Sequence, residues 1–249
     1  MDTKTTQATF KPARGSMRRY APLLIILAGF LLFWIFDLGR YVSMQSLSDN
    51  RDFLQNYVTD NFAASLIIYG LVYAVATAFS FPGAVFLTLA GGFLFGTWLG
   101  GVATVVAATL GATAIFLAAK TAFGDVMRNR AAPYIARLRD GFHDNAASYL
   151  LFLRLVPLFP FWLVNIVPAF LGVPLRIFII TTFFGIMPGS FVYTSVGNGI
   201  GAVLDAGETP DLGIIFETEV IGPIIALALL SLVPIMVKTF RKKRNATPS

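Results

Sequence analysis

The sequence contains no cysteine and a single histidine, His143. Without cysteine there is no disulfide framework, no thiolate nucleophile and no cysteine ligand for a metal, and one histidine cannot form a histidine-rich metal site. We therefore predict neither a metal site nor a cofactor. The chain also lacks a glycine-rich phosphate loop followed by lysine, paired membrane aspartates and a serine–histidine arrangement outside the polar loop around His143. These absences predict that the protein is not an enzyme.

Charged residues are scarce as well. They make up 13% of the 249 residues, whereas hydrophobic residues make up 56%, and the mean hydropathy is +0.73. Soluble domains contain about 45–50% apolar residues, so this composition predicts an integral membrane protein. The net charge of +6 lies mainly in polar segments between apolar runs, which argues against nucleic acid as a partner.

Apolar runs divide the chain into membrane-crossing and polar segments. A helix needs about 20 apolar residues to cross a bilayer. The full crossings predicted on this basis are residues 20–36, 97–119, 174–196 and 220–237. The resulting organisation is a basic tail, a membrane domain and a second basic tail, at residues 1–19, 20–238 and 239–249.

Charged segments assign the two sides of the membrane. Basic residues predominate before the first apolar run, at 120–145 and after Val237, whereas the segment 198–219 carries only acidic charges. Since cytoplasmic loops are enriched in Lys and Arg, both termini are predicted to be cytoplasmic. The mostly acidic segment 37–61 is then outside, and its apolar residues at helical spacing fit either a short surface helix or a soluble loop with one helical turn.

The region between Asp60 and Lys120 contains no charged residue and is interrupted by helix breakers. The breakers are Pro82, Gly83, Gly91, Gly92 and Gly96. Because the segment before this region is assigned to the outside and the segment after it to the cytoplasm, the number of full crossings between them must be odd. We therefore predict a re-entrant hairpin over residues 62–96, followed by one full span.

A second apolar segment, from Arg154 to Gly172, is poorly suited to crossing a bilayer. Its prolines are Pro157, Pro160 and Pro168. Each proline removes a backbone donor and disturbs the preceding turn, and freed carbonyl groups find no water in lipid. Such a segment persists where protein surrounds it or where it lines a wet cavity. We therefore predict a second re-entrant hairpin over residues 148–172.

The two hairpins share sequence features. The echoes are Phe81-Pro82 with Phe159-Pro160, and residues 93–96 with residues 169–172, which lie 76 positions later. By the charge assignment, the first hairpin enters from outside and the second from the cytoplasm, as in the inverted repeats of many transporters. The predicted fold is an all-α polytopic membrane protein, in which each repeat is a re-entrant hairpin plus a transmembrane helix, with a further transmembrane helix at each end.

Two blocks of sequence carry a resemblance to a known family. They are Phe81-Pro82-Gly83 with the following Gly91-Gly92 and Phe95-Gly96, and Arg154-x-x-Pro157-x-x-Pro160, after which comes Gly197-Asn198-Gly199. In this order the blocks resemble the VTT-domain family, also called the SNARE-associated Golgi protein family, of the DedA superfamily. The resemblance covers about half of the chain, roughly residues 75–200, within a VTT-like core at about 62–200.

This resemblance implies paired re-entrant hairpins, a bacterial inner-membrane or eukaryotic endomembrane location, and movement of lipids between leaflets. Of these locations we expect the cell (inner) membrane, and the lipid would be a phospholipid or a polyprenyl phosphate. Bacterial relatives are linked to membrane potential and proton-coupled transport. DedA proteins proper carry acidic residues near the first hairpin, whereas here Gly83 is followed by Ala84 and no acid lies between Asp60 and Asp125. The resemblance therefore does not carry proton coupling over to this chain.

Arg154 is the residue of greatest chemical interest. On an insertion scale, a charge at the bilayer centre costs about 2.5–3.5 kcal/mol, and no acidic residue lies between Asp144 and Asp205 to pair with it. A guanidinium suits phosphate because its donors form a planar fork. The hypothesis is a lipid-phosphate site formed by Arg154 with Pro157, Pro160 and Asn165. The alternatives are that Arg154 reaches the cytoplasmic surface or caps freed carbonyl groups, and that Asn165 makes a structural hydrogen bond.

Several glycines and prolines have a structural or a functional interpretation. Gly92, Gly96 and Gly100, spaced at four, would form a smooth helix face for close packing or for a substrate path. Pro188, Gly189 and Gly197 are predicted to break a helix or to pack closely, and the break in the 174–196 span is expected near Pro188-Gly189.

The amino-acid sequence leaves three functions open. The first is movement of lipids between leaflets, the second is transport of a small anion or other solute through the same hairpins, and the third is a membrane scaffold without transport. The expected partners are membrane lipids, including anionic headgroups, and a second copy of the chain in a homo-oligomer.

Overall fold

The computed structural model describes residues 21–36, 44–81, 83–130, 145–156, 159–205, 213 and 217–245. Within these residues the regular secondary structure is entirely helical, as the composition predicts. The helices in chain order are α1 (Ala21–Ile35), α2 (Met44–Asp49), α3 (Arg51–Asp60), α4 (Phe62–Ala78), α5 (Ala84–Arg130), α6 (residues 145–155), α7 (Phe161–Phe170), α8 (Leu175–Asp205) and α9 (Thr218–Asn245).

Three helices in the described part of the chain are long and apolar enough to cross a membrane. Their apolar stretches are Ala84–Ala122 of α5, Leu175–Ile200 of α8 and Val220–Val237 of α9. A bent pair of helices, α3 and α4, passes the same test when the two are taken together, with an angle of 119° between them. The last predicted crossing, 220–237, coincides with the apolar stretch of α9. The first coincides with α1, which is helical over 15 residues.

Helix α5 is interrupted where the sequence predicts a break. Gly96 has φ 75° and ψ 171°, so it leaves the helical conformation and divides α5 into an N-terminal arm, residues 84–95, and a C-terminal arm, residues 97–130. The chain folds back at this point, because a Cβ atom on Gly100 would meet the backbone carbonyl of Gly91. The positive φ requires glycine, since a side chain there would clash with the backbone.

The N-terminal arm of α5 and helix α4 form an antiparallel hairpin. At one end the ring of Phe62 makes an edge contact with the ring of Phe95, with centroids 6.0 Å apart. At the other end the hydroxyl of Tyr73 lies 2.9 Å from that of Thr88. The predicted hairpin at 62–96 is therefore a pair of packed helices. Pro82, one of the helix breakers from which this hairpin was predicted, lies outside the described residues.

The second hairpin has the same order of elements. Helix α6 is followed by a non-helical stretch that includes Phe159 and Pro160, then by the short helix α7, and the chain turns at Gly172 with φ 73° before α8 begins. Gly172 lies 76 positions after Gly96, and among the described glycines these two have positive φ. The sequence echo thus coincides with a glycine of positive φ at the end of each short helix. Pro157 lies outside the described residues.

The core joins the two hairpins through α5 and α8. Phe116 of α5 and Phe178 of α8 are fully buried, and their rings stack with centroids 4.2 Å apart. Ala146 and Leu150 of α6 and Ala169 of α7 pack into the same cluster. Close approach at the other end of α8 depends on glycine, because a Cβ atom on Gly92 would overlap the backbone of Thr194 and one on Gly197 would overlap that of Leu89.

Two predictions are wrong, one about a break in α8 and one about a glycine face on α5. Helix α8 runs without interruption from Leu175 to Asp205, so Pro188 and Gly189 do not break it and it extends well beyond residue 196. A proline inside a helix removes one hydrogen bond and produces a kink more often than a full break when neighbouring helices support it. Likewise, Gly92, Gly96 and Gly100 do not form one helix face, because Gly96 ends the arm that contains Gly92.

The glycine contacts between hairpin and α8 predict a matched pair of stability effects. We expect Gly92→Ala to destabilise the protein by about 1–3 kcal/mol, the usual range for overpacking, because the new methyl group meets backbone atoms of Thr194. The same change at Gly70, a helix-interior glycine with no atom near the added Cβ, should leave stability unchanged or raise it by about 0.5–1 kcal/mol. Thermal unfolding in detergent measures both, and equal effects at the two positions would contradict this packing.

Candidate functional site

A cavity of about 570 Å³ lies between the two hairpins and helices α8 and α9. Hairpin residues from both halves of the chain line it, among them Thr77 and Ser80 of the first hairpin and Arg154 and Pro160 of the second. Helix α8 contributes residues along one face, including Gly185 and Gly189, and α9 contributes Ile221 and Ile224. Arg154 and Pro160, both assigned to a site from the sequence, therefore border one space.

Arg154 is held by neutral polar groups. Its Nη2 atom donates to the side-chain oxygen of Asn165 at 2.7 Å and to the hydroxyl of Thr182 at 2.9 Å. Asn165 and Thr182 have no exposed surface. Neither acceptor carries a charge, so these bonds orient the guanidinium without neutralising it.

Two aromatic rings complete the surroundings of the guanidinium. Its central carbon lies 5.5 Å from the centroid of the Phe161 ring and 5.3 Å from that of Phe178. Such cation–π contacts contribute about 0.5–2 kcal/mol each, with larger values where water is excluded. Because Phe178 also stacks on Phe116, the arginine is anchored directly to the core that joins α5 and α8.

The inner position of Arg154 depends on a glycine in α8. A Cβ atom on Gly185 would lie 2.6 Å from Cβ of Arg154. Helix α6 can therefore approach α8 closely enough for Nη2 to reach Thr182, one turn earlier in the same helix. This glycine lies within the predicted span, but the sequence alone did not connect it with Arg154.

Part of the guanidinium is buried without a partner. Nε and Nη1 of Arg154, and the amide nitrogen of Asn165, make no hydrogen bond within the described residues. A buried donor without a partner costs about 1–3 kcal/mol, and more when the group is charged. Arg154 thus borders the cavity and carries two buried donors for which the described residues supply no acceptor.

Two hydroxyl groups of the first hairpin are also buried without a hydrogen-bond partner in the described part of the chain. Thr77 Oγ1 and Ser80 Oγ are buried, line the cavity and have no hydrogen-bond partner within the described residues. Ser80 also has φ 54°, in the left-handed region that is uncommon for a residue other than glycine. Backbone conformations of this kind are enriched at functional sites, so the first hairpin contributes an unusual turn as well as polar groups.

Not every predicted site residue lies at the cavity. Gly189 and Pro160 line it, with Pro160 preceding the first turn of α7. Gly91, Gly92 and Gly197 instead serve close helix contacts, to Tyr69, Thr194 and Leu89 respectively. Gly83 packs against the ring of Phe81. The positions of Pro82 and Pro157 are not among those described.

Sequence reasoning missed three residues around Arg154, which are Thr182, Phe161 and Phe178. Phe161 and Phe178 are two of 24 phenylalanines in the chain, and nothing in the sequence separates them from lipid-facing ones. Thr182 offered a weak signal, because Thr181-Thr182 is a polar pair inside an apolar run. Its partner across the fold became visible only with the geometry.

Comparison with known proteins gives a consistent result. The sequence model of the VTT domain matches residues 81–199, which include both left-handed glycines, Arg154, Asn165 and Thr182. A transmembrane protein 41 homolog of Dictyostelium discoideum is 33% identical over 190 residues, 75% of this chain and 55% of that protein. A homolog with the same name in Caenorhabditis elegans is 29% identical over 188 residues, 74% of each chain.

A vertebrate relative aligns over more of its length. Transmembrane protein 41B of Gallus gallus is 25% identical over 251 residues, 93% of this chain and 90% of that protein. No solved structure matches this chain. Together with the apolar helices α5, α8 and α9, these relatives establish a membrane-embedded protein.

The contacts of Arg154 predict a specific energetic coupling. Asn165→Leu should destabilise the protein by about 1–3 kcal/mol, because it takes an acceptor from a buried cation. Arg154→Met removes the cation, so adding Asn165→Leu to it should cost much less than Asn165→Leu alone. A double-mutant cycle by thermal unfolding in detergent measures this coupling. Strictly additive effects would show that the hydrogen bond contributes nothing.

Proposed function

The chain belongs to the VTT domain family, and from that premise we propose that it moves lipids between the two leaflets of its membrane. The observation that carries this proposal is the cavity between the hairpins, which is lined by Arg154, a cation with two buried donors that lack a partner within the described residues. A lipid phosphate is an acceptor of matching charge, and guanidinium–phosphate hydrogen bonds are among the stronger ones in proteins.

The proposed topology is a pair of re-entrant hairpins that enter from opposite sides. The N-terminal arm of α5 has about 12 residues and α7 has 10 residues, so at 1.5 Å per residue they are about 18 and 15 Å long. Each covers about half of the roughly 30 Å hydrocarbon core. Short helices followed by a left-handed glycine, at Gly96 and Gly172, support a turn within the membrane in each repeat.

The rim of the cavity favours lipid over a small solute. Val85 and Trp162 line the cavity and have 40% and 50% of their surface exposed. Apolar side chains at an opening face acyl chains more favourably than water. A lipid could then place its headgroup beside Arg154 and keep its tails in the bilayer. A carrier for a small anion has no need of such a rim.

The remaining features of the proposal are orientation, location and partners. We propose that both termini lie in the cytoplasm, because Lys and Arg are in excess in the flanking segments. The cell (inner) membrane as the location comes from the family resemblance and not from charge. Arg176 is exposed in the first turn of α8 and would mark the cytoplasmic edge. The apolar stretch of α9 has many exposed residues, including Leu229 and Leu230, which lipid or a second copy of the chain would cover. No catalytic step is part of the proposal.

Conservative replacement of the arginine tests the proposed phosphate contact. In liposomes, we expect Arg154→Lys to slow the movement of a fluorescent phospholipid by about tenfold or more, because an ammonium group cannot reproduce the planar fork. Dithionite quenching of lipid in the outer leaflet measures the rate. If both the rate and the binding of short-chain lipid phosphate are unchanged, the phosphate contact is wrong, and solute uptake in place of lipid movement would favour the carrier.

A carboxylate in place of Asn165 gives a second test, which keeps Arg154 and adds an anion beside it. Asn165→Asp places a negative charge within hydrogen-bond distance of Arg154, so we expect stability to be retained while lipid movement falls, because the internal anion competes with phosphate. Thr182→Val is the control, since it removes one hydrogen bond of Arg154 without adding charge. Equal loss of transport in both variants would indicate that only the orientation of Arg154 matters.

A further inference from the structure

A second cavity, of about 470 Å³, also borders the first hairpin. We call it the outer cavity and call the cavity beside Arg154 the arginine cavity. Helices α2 and α3, α4 and the N-terminal arm of α5 line the outer cavity. Its rim is apolar and exposed, with Phe53 at 69% and Ile68 and Val72 at 49%. Both cavities therefore have openings bordered by side chains suited to contact with acyl chains.

One stripe of hydroxyl-bearing residues runs along α4 from the outer cavity to the arginine cavity. The stripe is formed by Ser65, Tyr69, Tyr73 and Thr77. These residues are spaced at four, so they share one face of the helix, and all four are buried. From the first to the last the stripe measures about 18 Å at 1.5 Å per residue, more than half of the roughly 30 Å hydrocarbon core.

The stripe is divided between the cavities. Ser65 and Tyr69 line the outer cavity, whereas Tyr73 and Thr77, with Ser80 beyond them, line the arginine cavity. Among the described residues, none lines both cavities. The division falls between Tyr69 and Tyr73, whose ring centroids are 5.9 Å apart.

Hydrogen bonds hold this tyrosine pair against α5. The hydroxyl of Tyr69 donates to the backbone carbonyl of Leu87 at 3.1 Å and lies 2.6 Å from the hydroxyl of Thr104. The hydroxyl of Tyr73 lies 2.9 Å from that of Thr88. Thr88 and Thr104 belong to the two different arms of α5, so the pair connects α4 to both arms.

Helix packing alone does not account for the whole stripe. Hydroxyl groups that bond across helices can stabilise a membrane protein, and Tyr69 and Tyr73 fit that role. Thr77 and Ser80 do not, because their buried hydroxyls have no partner within the described residues and an unpaired buried hydroxyl is unfavourable. A polar ligand that passes along the stripe would supply the missing partners.

We propose that the two cavities are compartments of one path for a lipid headgroup along α4, and that Tyr69 and Tyr73 form the barrier between them. This inference rests on the proposed movement of lipids. The headgroup exchanges hydrogen bonds with successive hydroxyls of the stripe, while the acyl chains stay outside the apolar rims. Separation of the tyrosine rings from Thr88 and Thr104 opens the barrier.

The barrier is tested by removing its hydrogen bonds and keeping its rings. We expect the double variant Tyr69→Phe/Tyr73→Phe, in liposomes with a fluorescent phosphatidylcholine, to move lipid about 5- to 150-fold faster than the wild type, as follows from the combined net strength of two such bonds, one for each hydroxyl. Thr88 still donates to the carbonyl of Ala84, so the change leaves it paired. Thr113→Val is the control, because it removes a hydroxyl that bonds within α5 and lines neither cavity.

A second measurement does not depend on lipid transport. The chain has no cysteine, so Ser65→Cys and Thr77→Cys each introduce a single thiol, one in each cavity. With a membrane-impermeant methanethiosulfonate reagent on sealed vesicles of each orientation, we expect the two positions to react from opposite faces in the wild-type background. In the double phenylalanine background each should react from both faces.

The outcomes separate this inference from the proposed function. A wild-type chain that moves no lipid in liposomes overturns the proposed function and the headgroup path with it. An active wild type overturns the barrier alone if the double phenylalanine variant keeps both the wild-type rate and the one-sided pattern of labelling. A faster rate together with labelling from both faces supports the barrier.

Discussion

The charge of Arg154 is the constraint on which the packing of the second hairpin against α8 depends. A guanidinium enclosed by apolar helices requires partners, and this one has an amide oxygen, a threonine hydroxyl and two phenylalanine rings. These groups come from α7 and α8, and Arg154 itself lies in α6, so three helices must meet at one point. The structure meets this requirement by close packing at Gly185 and by stacking Phe178 on Phe116.

The hydrogen-bond partners of Arg154 in the described part of the chain are neutral, so they do not neutralise its charge. A carboxylate in place of Asn165 would stabilise the charge more strongly, but it would also occupy the fork that a phosphate needs. An amide and a hydroxyl fix the orientation of the guanidinium and leave its net charge available. The cavity lined by Arg154 then combines a cation, polar residues of the first hairpin and an apolar rim, a combination suited to an amphipathic ligand.

The sequence predicts the parts of this fold that depend on backbone chemistry. Breakers identified the interruption at Gly96, and the hydropathy of 220–237 identified the apolar stretch of α9. The predicted break at Pro188 is wrong, because one lost hydrogen bond does not end a helix supported by its neighbours. The partners of Arg154 were beyond prediction, because the bond to Thr182 joins residues 28 positions apart and depends on tertiary packing. The inverted orientation of the hairpins rests on charge parity and stays a prediction.

The most direct measurement is an experimental structure of the protein in nanodiscs that contain phospholipid. This account predicts headgroup density in the arginine cavity, with a phosphate oxygen within about 3 Å of Nε or Nη1 of Arg154, and acyl-chain density past Val85 or Trp162. Density that shows these nitrogens bonded to protein carbonyl groups, with lipid absent from the cavity, would contradict it. In that case Arg154 would serve to hold the hairpin together.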